Sequence, residues 1–163
     1  MPDFTSAPLT LDHSKSAKDL MKAGIDIYAN KETIEGLNLS GHRAIPVESL
    51  KQFTIGDFQI LGFPIEHDVE GLGYLIQYMP TKEKLLFLTD SFYSKYTFPN
   101  LNYILIECNY IKETLDQNIE DGYIDVRINP RLLQSHFSLE NVKNFLKAND
   151  LSQCREIILL HLS

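Results

Sequence analysis

Apolar positions along this chain follow a helical spacing at both ends and a strand spacing through the middle. Ala17, Leu20 and Met21 share one face at three- and four-residue intervals, so Lys15 to Ala23 is expected to be helical, with Gly24 as a left-handed stop. Ile25-Asp26-Ile27-Tyr28-Ala29 alternates like a strand, and Asn30 is placed to cap a short helix running to Leu37. From Arg43 to Met79 the spacing is that of strands. Ile45 and Val47 mark one. Gly56-Asp57 reads as a tight turn joining Gln52-Phe53-Thr54 to Phe58-Gln59-Ile60, which makes a hairpin. Gly71-Leu72-Gly73, read as a flexible turn, introduces Tyr74 to Tyr78, and Lys84 to Leu88 follows. Beyond a Tyr/Phe/Ser-rich loop at 91–100, Tyr103 to Ile106 is a strand and Ile111 to Glu120 a helix. Pro130 begins a short helix at 129–134. Ser138 caps a longer one ending at Ala148, with Leu139, Val142, Phe145 and Leu146 on its buried side. The alternation of element types predicts a layered α/β fold, read as one domain over residues 1–163.

Three apolar runs end in a residue able to bind metal. Gly62 to Glu66 stops at His67, Leu85 to Thr89 at Asp90, and Ile157 to Leu160 at His161. Each reads as a buried strand, and a strand that stops at His or Asp sets that side chain at a sheet edge where a ligand can approach. Asp12 and His13 at the first helix entrance, and His136 before the long helix, complete the candidates. His42, in a Ser-Gly-His-Arg turn, is expected to face solvent. Imidazole mixed with carboxylate favours zinc, iron or manganese over calcium or magnesium, and a hydrolytic metal lowers the pKa of bound water to about 7.

Composition narrows this. A chain of 163 residues with 44% apolar content can bury a full core. A net charge of −7 disfavours a broad electrostatic grip on nucleic acid or on an anionic membrane. Cys108 and Cys154 are two isolated thiols, which suit a reducing compartment and read as core residues. The first residues carry no basic region followed by an apolar run, and no stretch is long enough to span a membrane, so the expected location is cytoplasmic. CxxC, HExxH, Walker-type and GxSxG motifs are all absent.

Several motifs together resemble one family. Asp12-His13, Phe63-Pro64-Ile65-Glu66-His67-Asp68 with Gly73-Tyr74-Leu75-Ile76, Phe87-Leu88-Thr89-Asp90, and Leu159-Leu160-His161-Leu162-Ser163 occur in the order seen in the metallo-β-lactamase-fold hydrolases. Ile106-Glu107-Cys108-Asn109-Tyr110 and Ser135-His136-Phe137-Ser138-Leu139-Glu140-Asn141 resemble the subgroup of WalJ/YycJ-type exonucleases. The resemblance implies a partial αββα sandwich without its N-terminal strands. It also implies metal ligands at Asp12, His13, His67, Asp90 and His161, and catalytic roles for Asp90 and His136. The family's first ligand motif is His-x-His-x-Asp-His. Asp12-His13 match its end, while Pro8 and Thr10 stand where its two leading histidines fall. One of two metal sites should therefore be crippled, leaving a single ion, zinc or manganese.

The function so implied is that of a metal-dependent hydrolase, phosphodiesterase- or nuclease-like, with a nucleic acid or other phosphodiester as substrate. Two other readings stand beside it. One is a non-catalytic binding or structural member of the fold, forming a homodimer through an exposed sheet edge. The other is a hydrolase of small esters, thioesters or lactones. Restoring the two imidazoles tests the motif alignment. The double change Pro8→His with Thr10→His should raise bound metal by about one ion per chain in elemental analysis. Unchanged stoichiometry would remove the alignment of Asp12-His13 with that motif.

Overall fold

The computed structural model describes residues 16–68, 70–123, 133 and 135–162. Asp12 and His13 lie outside the described residues, as does the helix expected at 129–134 except for Leu133. In chain order the elements are α1 (Ala17–Lys22), β1 (Ile27–Ala29), α2 (Lys31–Gly36), β2 (Ala44–Pro46), β3 (Gln52–Ile55) and β4 (Phe58–Pro64). Then come β5 (Leu72–Tyr78), β6 (Lys84–Leu88), β7 (Tyr103–Glu107), α3 (Lys112–Glu120), α4 (Leu139–Ala148) and β8 (Glu156–Leu160).

Six strands form one sheet in the order β3-β4-β5-β6-β7-β8. The first four are joined antiparallel, and β6, β7 and β8 run parallel. The hairpin turn at Gly56-Asp57 forms as the sequence reading expects, with Gly56 at φ 54°, where a glycine carries no Cβ penalty. The parallel part is set by Asn102. Its side-chain oxygen accepts from Lys84 N at 2.8 Å, its amide donates to Gln153 O at 3.2 Å, and its own carbonyl accepts from Arg155 N at 2.8 Å. One buried amide thus holds the starts of β6, β7 and β8 level.

The sheet buries its two faces unequally. Leu86 and Leu88 of β6 pair with Ile104 and Ile106 of β7, and all four are fully buried. They pack with Phe63, Phe137, and Val142 and Phe145 of α4. Phe63 lies 4.8 Å, ring to ring, from Phe98. Ser138 caps α4 by accepting from Asn141 N at 3.1 Å, as its position predicts. The opposite face presents Tyr74, Leu85, Phe87 and Leu105, all half-buried. Across part of it lies the small parallel pair β1-β2, where Tyr28 stacks on Phe53 at 5.5 Å. Asn30 caps α2 by accepting from Thr33 N at 3.1 Å.

Two readings need correction. The last apolar run is not a buried strand: β8 is an edge, and Ile157, Ile158 and Leu159 are each 37–40% exposed. A continuous apolar run marks a strand of a parallel sheet, but it does not show whether neighbours cover that strand. Gly71-Leu72-Gly73 is not a loose turn, because β5 begins at Leu72. Gly73 is there for contact: a Cβ on it would come within 2.5 Å of Phe63 Cζ and 3.2 Å of Leu88 Cδ1. Gly73→Ala should therefore destabilise the fold by about 1–3 kcal/mol through overpacking, lowering the melting temperature by roughly 3–10 °C. An unchanged melting temperature would show that the Phe63 ring yields at no cost.

Candidate metal and acid-base site

The strand directions decide where the candidate residues meet. β4, β6, β7 and β8 all finish at one end of the sheet, and β5 begins there. His67 follows β4, Asp90 follows β6, Glu107 is the last residue of β7, and His161 follows β8. Asp90 and His161 both take left-handed backbone, at φ 53° and 54°. Asp and His are among the residues that take this conformation most readily after glycine, and Asn38, Leu50, Lys82 and Asn100 share it elsewhere. Donor atoms of Asp90, Glu107 and His161 lie within 4.8 Å of one another.

Glu107 is the centre of this group and has no exposure to solvent. Its Oε1 lies 2.7 Å from His136 Nδ1 and 3.1 Å from His161 Nδ1. Asn109 Nδ2 donates to the same oxygen at 3.5 Å, and Ser91 N donates to Oε2 at 3.4 Å. Burial pushes the Glu107 carboxyl up, but the hydrogen bonds from His136, His161 and Ser91 outweigh it and hold the group below its ordinary value. The hydrogen bond to Glu107 does the reverse for His136, raising its imidazole above its ordinary value despite desolvation.

Backbone contacts bring in the rest. Asn109 N donates to Phe137 O at 2.9 Å and Leu139 N to Tyr110 O at 2.9 Å, which docks the segment carrying His136 against the end of β7. The His136 and His67 rings meet edge to face with centroids 5.8 Å apart. His67 Nδ1 is 2.8 Å from Asp68 Oδ1, and the side chain of His67 is buried. Fully buried Ser91 ties the neighbouring strand ends: its Oγ accepts from Glu66 N at 3.0 Å and donates to Tyr93 O at 2.6 Å.

His67, Asp90, His136 and His161, four of the sequence-derived candidates, are therefore neighbours in space. His42 is exposed and apart from them. Glu107 was not among the candidate ligands. Its signal was available in the sequence, since a carboxylate ending the apolar run Tyr103 to Ile106 repeats the pattern of His67, Asp90 and His161.

No protein-family model matches the sequence, and no curated protein matches it. Solved structures do match. The metallo-β-lactamase-fold protein YhfI from Bacillus subtilis aligns over 93% of this chain and 60% of its own, at 18% identity and a TM-score of 0.67. A diphosphatase of the PhnP family aligns over 95% of this chain and 55% of its own, at 14% identity and a TM-score of 0.57. CmlA, a diiron β-hydroxylase from Streptomyces venezuelae, aligns over 83% of this chain and 30% of its own, at 13% identity and a TM-score of 0.54. The chain has the metallo-β-lactamase fold. It spans less than two thirds of the length of each of these chains. Among the described residues, no helix is long and apolar enough to cross a membrane.

The donor chemistry at the end of this metallo-β-lactamase-fold sheet fits a divalent ion. Asp90 supplies a carboxylate and His161 an imidazole, close together. With Nδ1 of His161 donating to Glu107, the neutral ring carries its lone pair on Nε2, the form in which imidazole ligates. This tautomer is inferred from the hydrogen bond. Glu107 is near enough to count as a third donor, but its Oε1 already accepts from two imidazoles and its burial keeps it behind them. Its geometry suits orienting the rings better than binding an ion.

The Glu107 network predicts a pH signature in metal-free protein. The lowered Glu107 contributes stability that is fully present above its unfolded value near 4.5 and lost as pH falls through its folded value. The raised His136 contributes stability that is fully present below its unfolded value near 6.5 and lost as pH rises through its folded value. Glu107→Ala should cost about 3–5 kcal/mol. Its deficit relative to the parent should be largest between about pH 5 and 6.5 and shrink on both sides. A deficit that is flat with pH would mean that Glu107 acts by packing alone.

Proposed function

We propose that this chain is a metal-dependent hydrolase that cleaves a phosphoester bond at the shared end of β4, β6, β7 and β8. The observation that carries the reading is the meeting of Asp90, His161 and His136 around the buried Glu107 carboxylate. Asp90 and His161, with His67 beside them, are the described residues we assign to holding zinc or manganese. Asp12 and His13, outside the described residues, complete the proposed set. A bound divalent ion would supply Lewis acidity and a water of lowered pKa.

The chain's own residues do the remaining work. Glu107 fixes both ring orientations through Nδ1, so neither imidazole turns away from the site. Its hydrogen bond to His136 Nδ1 leaves that ring's other nitrogen for proton transfer, which suits a general acid that gives its proton to the leaving oxygen. The diphosphatase match favours the phosphoester class, with nucleic acid among its members. The apolar cavity beside Asp90 favours a second reading, in which the same site hydrolyses small esters, thioesters or lactones. We place the activity in the cytoplasm, consistent with two unpaired thiols.

Metal content and turnover on one preparation test this. DNA, RNA, bis(p-nitrophenyl) phosphate and p-nitrophenyl butyrate should be compared with added zinc or manganese. Asp90→Asn and His161→Ala should lose both metal and turnover. Glu107→Gln should weaken metal binding by about 10–100-fold. His136→Gln should keep the metal and lose about 10²–10⁴-fold in rate. Less than roughly a tenth of an ion per chain after metal is supplied would end the proposal.

A further inference from the structure

We propose that Ser91 is a positioning residue, whose hydroxyl and amide set Asp90 against His67 and Glu107. In the sheet, β5 lies between β4 and β6, so no ladder bond joins those two strands. Their axes are two strand spacings, roughly 9–10 Å, apart. His67 and Asp90 both lie past the ends of these strands, which stop at Pro64 and Leu88. Strand pairing alone therefore does not fix the distance between the two side chains. The donor groups of a metal site have to be held within about 0.5 Å of their working positions.

Ser91 closes that gap, with no exposure to solvent. Its Oγ accepts from the N–H of Glu66, the residue before His67, at 3.0 Å. It donates to Tyr93 O at 2.6 Å, the nearer of two carbonyls, since Glu66 O is 3.4 Å away. Phe92 N donates to Glu66 O at 3.1 Å, so Glu66 is held through both its N–H and its carbonyl. On the other side, Ser91 N donates to Glu107 Oε2 at 3.4 Å. Asn141 Nδ2, in the first turn of α4, donates to Phe92 O at 2.9 Å, which ties the helix that follows His136 to the same turn. The two residues after Asp90 thus contact the segments that carry His67, Glu107 and His136. A second tie between two of these segments, Lys95 Nζ to Glu66 Oε1 at 2.7 Å, is exposed on its lysine side, where solvent screening leaves little of its strength. Buried hydrogen bonds keep theirs. What rests on the hydrolase reading is only the ion that Asp90 would hold; the clamp itself needs none.

The parent, Ser91→Ala and Lys95→Ala are compared with and without metal. In competition with a chromophoric chelator, Ser91→Ala should bind zinc about tenfold or more weakly, and Lys95→Ala as the parent does. Cobalt in place of zinc should give Ser91→Ala a shifted visible absorption band, a sign of altered coordination that a loss of global stability does not produce. In metal-free protein, the ring N–H resonances of His136 and His161 should shift in Ser91→Ala, because the backbone donor to Glu107 moves with the released turn. They should stay in place in Lys95→Ala. Ser91→Thr, which keeps the hydroxyl, should lie nearer the parent than Ser91→Val, which has the same shape without it. That pair replaces Ser91→Ala if the alanine variant does not fold. Unchanged zinc affinity and cobalt band, unmoved ring resonances, equal losses in Lys95→Ala, or threonine and valine variants that behave alike would each overturn the assignment. A parent that binds no ion would end the hydrolase reading, and the metal-free resonances would still decide the role of Ser91.

Discussion

The interaction on which the site depends is the burial of one carboxylate between two imidazoles. An ionised Glu107 with no solvent exposure would cost several kcal/mol if left alone. His136 and His161 offset that cost, and the exchange runs in both directions. The carboxylate gains donors, and each ring gains a fixed orientation. The rings come from chain segments flanking opposite ends of α4, so neither can be placed by local structure.

What brings them together is the parallel arrangement of β6, β7 and β8. Asn102 levels the starts of these strands, and strands of equal length then end at a common height. Asp90, Glu107 and His161 are delivered by that geometry to one edge. The left-handed backbone at Asp90 and His161 turns the chain at the same level. Close packing of Gly73 against Phe63 and Leu88 keeps the start of β5 tight beneath the site.

The two faces of the sheet have different tasks. One is sealed by α4 and the Phe63–Phe98–Phe137 cluster, which makes a rigid floor. The other is apolar and, among the described residues, only partly covered by β1, β2 and the short helices, with a cavity beside Asp90. The sealed face holds the strand ends that carry Asp90, Glu107 and His161. Among the described residues β8 is an edge strand, with its apolar side chains partly in solvent.

Much of this was written in the order of residues. Apolar spacing determined β4, β6, β7, α4 and the Gly56-Asp57 hairpin. Capping by Asn30 and Ser138 determined where two helices begin, because those interactions span only three residues. The ending of apolar runs at His67, Asp90 and His161 picked out three residues that the fold brings together. Tertiary structure alone decided that Glu107 is its centre, that β8 lies at an edge, and that Gly73 serves a ring contact. Each depends on strands that are distant in sequence and adjacent in space. A residue's spacing tells which face of a strand it occupies; only the assembled sheet tells what stands against that face.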